Sequence, residues 1–178
     1  MEEKRAKADV IIPVYRPDER LFRLLDRLSR QTWMPRKIII MNTERTYWDN
    51  CGAEGQLELL GLSERCEVHH LSKSEFDHGG TRNAGVSFSE TAYFVMLTQD
   101  AVPADNRLLE NLLAPLENGV AEMSYGRQLA NPGADILEKF TRRYNYGDRS
   151  FLKTEADKER LGIKTYFASN VCAAYVRA

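Results

Sequence analysis

The chain has 178 residues, which is enough for one domain with a sizeable hydrophobic core. Its 25 lysines and arginines nearly balance its 26 aspartates and glutamates, so bulk charge does not favour nucleic acid as a partner. No stretch approaches the roughly 20 apolar residues that a membrane-spanning helix needs. Three scattered cysteines form no CxxC pair, which indicates reduced thiols in a cytoplasmic protein rather than a disulfide framework or a zinc site.

Strand and helix patterns alternate through the first part of the chain. Residues 1–8 form a charged tail, and apolar runs at residues 10–14, 37–41 and 66–71 predict three strands. The first two strands are separated by leucines at positions 21, 24, 25 and 28, which lie on one face of a helix. A weaker helix pattern follows at residues 56–62. This alternation is typical of an α/β fold.

The central stretch, residues 76–103, combines a glycine turn, a short helix, an apolar strand and a lone carboxylate. Gly79 and Gly80 are expected to adopt backbone conformations closed to other residues, with Thr81 as the cap of a helix that carries Arg82 on its first turn. The apolar run at residues 93–97 predicts a strand covered on both faces, and Asp100 follows it. Open α/β sheets bind ligands beyond the carboxyl ends of their strands, so a nucleotide diphosphate site is expected here.

The last third of the sequence continues the pattern less regularly. Leucines between positions 108 and 116 predict an amphipathic helix, and residues 120–125 predict a strand that leads into GRQL. A turn at NPGAD precedes a helix whose end carries a cluster of arginines and tyrosines at residues 142–146. That cluster is either a solvated helix end or a lip for a sugar acceptor. Residues 166–176 predict a final strand.

The ordered set VIIPVYRP, FDHGGTRNAG, LTQDAVP, YGRQL, RRYNY and FASNVCAAYVR resembles family 2 glycosyltransferases, the inverting class with the GT-A fold. The wording of these segments is most similar to the rhamnosyltransferase-like subgroup, and the resemblance runs from about Asp9 to the last residue. It implies one GT-A domain at residues 9–178, a Rossmann-like three-layer α/β/α structure with a mainly parallel mixed sheet, truncated at its C-terminus.

The resemblance assigns the ends of the first two strands to the nucleotide. Pro13, Val14 and Tyr15 would line the nucleotide pocket. Asn42 and Thr43 stand where most members of the family carry acidic residues near the base and ribose, and this is a departure from the pattern. An asparagine still pairs with a pyrimidine edge, because its amide both donates and accepts.

The resemblance also assigns the metal and the diphosphate. Asp100 matches the last acid of the family's metal motif, whereas Thr98 replaces the first acid. One carboxylate in place of two predicts that Mg²⁺ or Mn²⁺ binds well only together with the donor diphosphate. Arg82 would reach the diphosphate, and Gln99 belongs to the same donor site.

His78 and Arg127 complete the predicted donor-binding residues, with His78 near the donor sugar and Arg127 at a strand end on the ligand side. Simpler roles stay open for several of these residues. Asp100 would otherwise cap a turn, Arg82 would be a surface residue paired with Glu75 or Asp77, and His78 would be a loop histidine bonded to backbone.

The implied function is transfer of a sugar, such as L-rhamnose, from a nucleotide diphosphate donor to a saccharide or lipid-linked acceptor in cell-surface polysaccharide synthesis. The donor would be dTDP-rhamnose or a UDP-sugar, and the location would be the cytoplasm, at the inner face of the membrane. The family's base is an acidic residue after the last sheet strand, and no aspartate or glutamate follows Tyr166. We therefore expect a base beyond Ala178 and an inactive fragment of a longer enzyme.

Two other classes of protein remain as alternatives. A sugar-phosphate nucleotidylyltransferase carries a similar GGxGTR-like loop, but directly after its first strand, where this chain has VIIPVYRP. A non-catalytic nucleotide- or sugar-binding module would keep the pocket without the chemistry, and the replacements at Asn42 and Thr98 leave this alternative open.

Overall fold

The computed structural model describes residues 7–131 and 133–177. Strands and helices follow one another as β1 (Ala8–Tyr15), α1 (Glu19–Leu28), β2 (Ile38–Thr43), α2 (Arg45–Asn50), α3 (Ala53–Leu59), β3 (Cys66–Leu71), α4 (His78–Ser87), β4 (Tyr93–Leu97), α5 (Leu108–Glu117), β5 (Met123–Tyr125), α6 (Ile136–Asn145), α7 (Lys158–Leu161) and β6 (Cys172–Val176). Short 3₁₀ helices at Glu155–Asp157 and Gly162–Tyr166 flank α7.

These strands form a six-stranded sheet in the order β3-β2-β1-β4-β6-β5. The first four strands in sequence are parallel to one another, whereas β6 runs antiparallel to both β4 and β5. The predicted α/β fold with a mainly parallel mixed sheet is therefore confirmed. Since parallel strands end at one edge, β1 to β4 bring their carboxyl ends together.

Each face of the sheet carries its own apolar core. On one face, Ile12 and Ile40 pack with the buried leucines of α1 and α5. On the other face, Ile11 and Met41 form a smaller core under α4. A Cβ atom at Gly85 of α4 would lie 2.6 Å from the Ile11 Cγ2 atom, so the absence of a side chain lets this helix approach β1 closely.

The start of α4 differs from the sequence prediction. Asp77, not Thr81, is the N-cap, and its Oδ1 atom accepts a hydrogen bond of 2.5 Å from the Gly80 amide. Thr81 is buried in the helix, where its hydroxyl oxygen accepts a bond from the Asp77 amide. The expectation of unusual backbone at Gly79 and Gly80 was also wrong, because both are ordinary helical residues. The aspartate takes the cap because it immediately precedes the first helical residue.

Three other boundaries differ from prediction. The helix α2 had no apolar pattern to indicate it, since only Trp48 on it is buried. Strand β5 is shorter than residues 120–125, and β6 begins at Cys172, so the expected strand at residues 166–176 is half its predicted length. The apolar residues before Cys172 belong to loop and 3₁₀ helix instead.

A closed polar cluster lies at the opposite edge of the sheet, where β1 begins. The buried carboxylate of Asp9 accepts bonds from Arg36 Nε (2.9 Å), Arg36 Nη2 (2.7 Å), the Lys37 amide (3.1 Å) and Ser89 Oγ (2.8 Å). Burial alone would raise the pKa of Asp9, but these hydrogen bonds and the Arg36 charge outweigh it, so the pKa lies below its usual value. We call Asp9, Arg36 and Ser89 the amino-edge cluster.

The helices of the described residues are all too short or too polar to cross a bilayer.

Candidate functional site

The candidate site lies at the carboxyl edge, which we define as the ends of β1, β2, β3 and β4 together with the residues that follow them. The register aligns Tyr15 with Thr43 and Thr43 with Leu71, so these three strands end level with one another. Ligands of open α/β sheets bind beyond such strand ends. The edge therefore brings several of the sequence-predicted residues together.

The ends of β1 and β4 are joined by a side chain. The Tyr15 amide donates a hydrogen bond of 2.8 Å to Gln99 Oε1, so one predicted residue holds another in place. Pro13 lies two residues before Tyr15, so its backbone nitrogen faces β4 as well, but proline has no N–H to donate. The last β1–β4 pair is at Ile11, so Pro13 lies beyond the paired part of these two strands. Val14 faces the core and is buried, so it offers a ligand little more than its backbone.

Asp100 follows directly and is exposed to solvent. Its Oδ1 atom accepts a bond of 2.7 Å from Thr98 Oγ1, so the threonine in the place of the family's first acid orients the remaining carboxylate. Arg20, at the start of α1, lies nearby. The pKa of its guanidinium is raised first by the hydrogen bond with Asp18 and to a lesser extent by the charge of Asp100. No pattern in the sequence indicated that Arg20 and Asp100 would lie near each other.

These residues fit a divalent metal only in part. Among the described residues, no group of three or more histidine, cysteine, aspartate or glutamate side chains is arranged to hold a metal ion. Mg²⁺ and Mn²⁺ prefer oxygen ligands, and Mg²⁺ in particular is often held by one or two carboxylates together with substrate phosphates and water. The exposed, oriented Asp100 carboxylate fits that shared arrangement. It does not fit a metal held by protein side chains alone.

The end of β2 carries two buried polar atoms without partners. Asn42 Nδ2 is 3.0 Å from His70 Nδ1 and donates to the Glu44 carbonyl at 3.3 Å, but Asn42 Oδ1 has no hydrogen bond, and neither does Thr43 Oγ1. Because an amide nitrogen only donates, His70 Nδ1 is assigned as the acceptor, in a neutral ring. Burial lowers the pKa of His70, with the Arg45 charge as a smaller cause, which favours the same neutral form. The amide is therefore held with its acceptor oxygen turned away from both partners.

The residues that directly follow β1 and β2 have a strained backbone conformation. Arg16 and Glu44 are the non-glycine residues with positive φ among those the structure describes, at 51° and 67°. The Arg16 guanidinium lies over the rings of Tyr15 and Tyr47, at 5.2 and 5.0 Å from their centroids, and donates to the Tyr47 hydroxyl at 3.2 Å. Sequence reasoning missed this group, since Tyr47 belongs to the unpredicted α2 and arginine gives no signal for a left-handed conformation.

The two predicted residues of α4 lie at its amino-terminal end. His78 is the first helical residue, is exposed, and packs edge-on against Phe76. Arg82 is half-buried in the second turn rather than the first, and its Nη1 atom donates to the His78 carbonyl at 2.7 Å. The alternative ion pairs did not form, because Glu75 is bonded to Ser72 and Asp77 caps the helix. Burial raises the pKa of Tyr175 on β6, and the nearby Arg82 charge opposes that rise only in part.

Arg127 lies apart from these residues, beyond the end of β5. Its guanidinium donates to Asp148 Oδ1 at 3.2 Å, and both side chains are largely exposed. The neighbouring Gln128 donates to Ser169 Oγ at 2.9 Å and accepts from Arg142 of α6. Strand β6 separates β5 from β4, so Arg127 is two strands away from Asp100.

Comparison with known proteins decides the family. The family model described as Glycosyl transferase family 2 matches residues 9–178. The chain belongs to glycosyl transferase family 2.

Relatives within this family extend the assignment. The O-antigen chain rhamnosyltransferase RfbN of Salmonella typhimurium is 34% identical over 173 residues, which are 97% of this chain and 53% of the relative. The chain spans about half the length of the curated relatives it matches. The resemblance to the rhamnosyltransferase-like subgroup is thereby confirmed.

Solved structures agree on the fold. The mannosyltransferase PcManGT from Pyrobaculum calidifontis, solved in complex with GDP-Man and Mn²⁺, covers 98% of this chain and 46% of its own, with a TM-score of 0.63 and 14% identity. TarS 1-349 of S. aureus, in complex with UDP-GlcNAc, covers 73% of this chain and 36% of its own, with a TM-score of 0.55 and 17% identity. The fold is thus the GT-A fold of these transferases.

Proposed function

We propose that this chain forms the donor-binding part of an inverting glycosyltransferase. The enzyme transfers a sugar, L-rhamnose in the first instance, from a nucleotide diphosphate to a saccharide or lipid-linked acceptor during cell-surface polysaccharide synthesis. It works in the cytoplasm, at the inner face of the membrane. The observation that carries the proposal is the 34% identity to an O-antigen chain rhamnosyltransferase over 97% of this chain.

The nucleoside binds at the ends of β1 and β2. Asn42 Oδ1 and Thr43 Oγ1 are buried acceptors without partners, and such groups are rare unless a ligand or water satisfies them. An acceptor held in one orientation selects a base edge that donates, such as the imide N–H of uracil or thymine. The Tyr15 ring and the backbone of Pro13 and Val14 form the adjoining wall. This chemistry is consistent with dTDP-rhamnose or a UDP-sugar as the donor.

The diphosphate lies between Asp100 and α4. Asp100 would hold Mg²⁺ or Mn²⁺ jointly with the donor diphosphate, and the bound ion would supply charge neutralisation for the departing nucleotide. Gln99 fixes the Tyr15 amide beside it. Arg82 exchanges its bond with the His78 carbonyl for a charge-assisted bond to a phosphate oxygen, and His78 contacts the donor sugar. Arg127, with its exposed guanidinium, contributes to the donor or acceptor side.

Inversion at the anomeric carbon needs two further actions. A base removes the proton of the acceptor hydroxyl, and the new glycosidic bond forms as the bond to the nucleotide diphosphate breaks. The residues described above bind and orient the donor. The nucleotidylyltransferase alternative fits less well. The GGTR segment lies within α4, after the third strand, rather than in a loop after the first, which argues against a nucleotidylyltransferase.

The proposal is tested by titrating UDP and dTDP into the protein by calorimetry, with and without Mn²⁺. We expect Mn²⁺ to tighten binding by about tenfold or more, and Asp100→Ala to remove that gain, because the metal needs both the carboxylate and the diphosphate. Glu90→Ala, which removes an exposed carboxylate at the opposite edge, serves as the matched control. Equal affinities with and without Mn²⁺, or an Asp100→Ala variant that keeps the gain, would contradict the metal role.

The same titration reports on Arg82. Loss of a charge-assisted bond costs about 1.5–3 kcal/mol, so Arg82→Ala is expected to weaken UDP far more than uridine. An equal loss for both ligands would instead indicate a structural role. If the unmodified protein bound neither UDP nor dTDP, the proposed function itself would be wrong.

A further inference from the structure

Helix α6 is the one helix of ten residues in the described part of the chain that buries none of its side chains. Asp135 caps it by accepting a bond of 2.8 Å from the Glu138 amide, so its start is well defined. Ile136, Leu137, Phe140 and Tyr144 are all strongly exposed, with Ile136 at 82%. At 3.6 residues per turn these four side chains fall within an arc of about 100°, which we call the α6 stripe.

The border of the α6 stripe is basic. Lys139 and Arg143 follow it along one side, and the Lys164 ammonium lies 3.8 Å from the centroid of the Tyr144 ring. The acidic residue of the helix, Glu138, lies on the reverse face with Arg142, whose Nε atom is 3.8 Å from the glutamate. On the helix itself, the charged residues beside the apolar stripe are therefore the cations Lys139 and Arg143.

The reverse face of α6 connects it to the carboxyl edge. Arg142 donates to Gln128, which follows β5, and Gln128 donates to Ser169, which precedes β6. Most of the exposed large apolar side chains of the described residues lie between residues 129 and 167, on and around this helix. The stripe thus belongs to a segment rich in exposed apolar side chains that joins the sheet at the edge where the donor site lies.

We propose that the α6 stripe docks on an anionic lipid surface. An amphipathic helix with aromatic and aliphatic residues on one side and lysine or arginine at its border lies in the plane of a bilayer, with its apolar face in the headgroup region. A second copy of this chain is a poorer occupant, since two-fold pairing would bring the Lys139, Arg143 and Lys164 cations of both copies together. The inference rests on the proposed function only for its purpose, which is to bring a lipid-linked acceptor to the donor site.

The test is flotation of the 178-residue chain with vesicles of phosphatidylcholine, alone or mixed with phosphatidylglycerol. The double variant Ile136→Ser with Phe140→Ser removes apolar area that the structure leaves exposed, so circular dichroism is expected to stay unchanged. Its partitioning onto anionic vesicles should fall by about tenfold or more. Leu59→Ser, on α3, is the matched control, because Leu59 is 81% exposed and distant in sequence; its partitioning should not change.

A charge arm separates anionic lipid from apolar adsorption. Lys139→Gln with Arg143→Gln is expected to reduce binding to the anionic vesicles by about fivefold for each cation, while binding to phosphatidylcholine alone stays as it was. The control is Arg23→Gln with Arg27→Gln, which removes two exposed cations from α1. It should leave both measurements unchanged.

Several results would overturn the inference: no binding of the unmodified chain to anionic vesicles, equal binding to both vesicle types, or the same loss in the stripe and control variants. Sedimentation velocity in the absence of lipid gives one further result that would overturn the inference. If the chain dimerises and the Ile136→Ser, Phe140→Ser variant is monomeric, a second copy covers the stripe. Affinity for UDP, measured without vesicles, reports separately on the proposed function.

Discussion

The two edges of the sheet bury polar side chains to the same degree but treat them differently. Asp9 at the amino edge and Asn42 at the carboxyl edge are both 0% exposed. The Asp9 carboxylate accepts bonds from two side chains and one backbone amide. Asn42 Oδ1 and its neighbour Thr43 Oγ1 have none. At the amino edge the buried acceptor is hydrogen-bonded, whereas at the carboxyl edge two buried acceptor atoms have no hydrogen-bond partner.

This difference separates stability from binding. A buried polar atom without a partner costs about 1–3 kcal/mol, and such atoms persist where a ligand satisfies them. Backbone strain is found at the carboxyl edge as well, since Arg16 and Glu44 directly follow β1 and β2 there. The amino edge carries no comparable strain among the described residues. We therefore expect mutations at the amino edge to lower stability and those at the carboxyl edge to lower affinity.

The largest expected effect comes from opening the amino-edge cluster. Asp9→Ala leaves the Arg36 guanidinium, the Lys37 amide and the Ser89 hydroxyl without their acceptor, and breaking a buried pair in this way costs about 3–5 kcal/mol. Urea denaturation followed by circular dichroism should show this loss in the free energy of unfolding. Affinity for UDP, measured where the variant is folded, should stay unchanged.

The matched control for Asp9 is Glu90→Ala, because Glu90 pairs with the same Arg36 but from the exposed surface, at 3.3 Å. Surface ion pairs contribute about 1 kcal/mol or less, so this variant should unfold almost as the unmodified protein does. Comparable losses in the two variants would show that burial does not set the contribution of the cluster.

Smaller effects are expected from two threonines, one of which should affect stability and the other the affinity for UDP. Both hydroxyls are buried, but Thr81 Oγ1 accepts a bond from the Asp77 amide and Thr43 Oγ1 has no partner. Thr81→Val should therefore lower the free energy of unfolding by about 1 kcal/mol and leave UDP affinity intact. Thr43→Val should keep or raise stability and weaken UDP by about fivefold, measured by calorimetry. If both variants lost the same free energy of unfolding, the Thr43 hydroxyl would contribute to stability as the Thr81 hydroxyl does, which would contradict its role as an acceptor for a ligand.

The smallest expected effect is the acid dependence of the Asp9 contribution. Because the folded pKa of Asp9 is lowered, its stabilisation is complete above the unfolded pKa of about 3.9 and declines as the pH falls towards the folded value. The difference in unfolding free energy between the unmodified protein and Asp9→Ala should be constant above about pH 5. By pH 3.9 it should shrink by no more than about 0.4 kcal/mol. A difference that grew with acid would contradict the lowered pKa.

Local patterns in the sequence were sufficient to predict the parallel half of the sheet. The apolar runs of β1, β2, β3 and β4 and the leucine faces of α1 and α5 are short-range signals, and they placed Asn42 and Asp100 at strand ends. The amino-edge cluster had no such signal. Asp9 meets Arg36 and Ser89 only through contacts of long sequence separation, so its role depends on the finished sheet.

The other features that were not predicted from the sequence also depend on the folded structure rather than on local patterns. The cap of α4 required a choice between Asp77 and Thr81, and only the helix boundary decides it. The conformation of Arg16 and the presence of α2 follow from packing around Tyr47 and Trp48 rather than from residue preference. Distances between Arg127 and the other donor residues depend on β6 lying between β4 and β5, which strand patterns do not reveal.

The position of β6 also has a consequence for synthesis on the ribosome. Strand β6 comes last in sequence among the described strands but lies inside the sheet, between β4 and β5. The chain emerges from its amino end, so the free side of β4 and the whole of β5 wait for a partner while residues 126–171 are made. An uncovered strand edge is a template for pairing with other chains. Substitutions that delay this segment will therefore appear as lower yield of nascent protein and a greater need for chaperones, even where the finished molecule is unaffected.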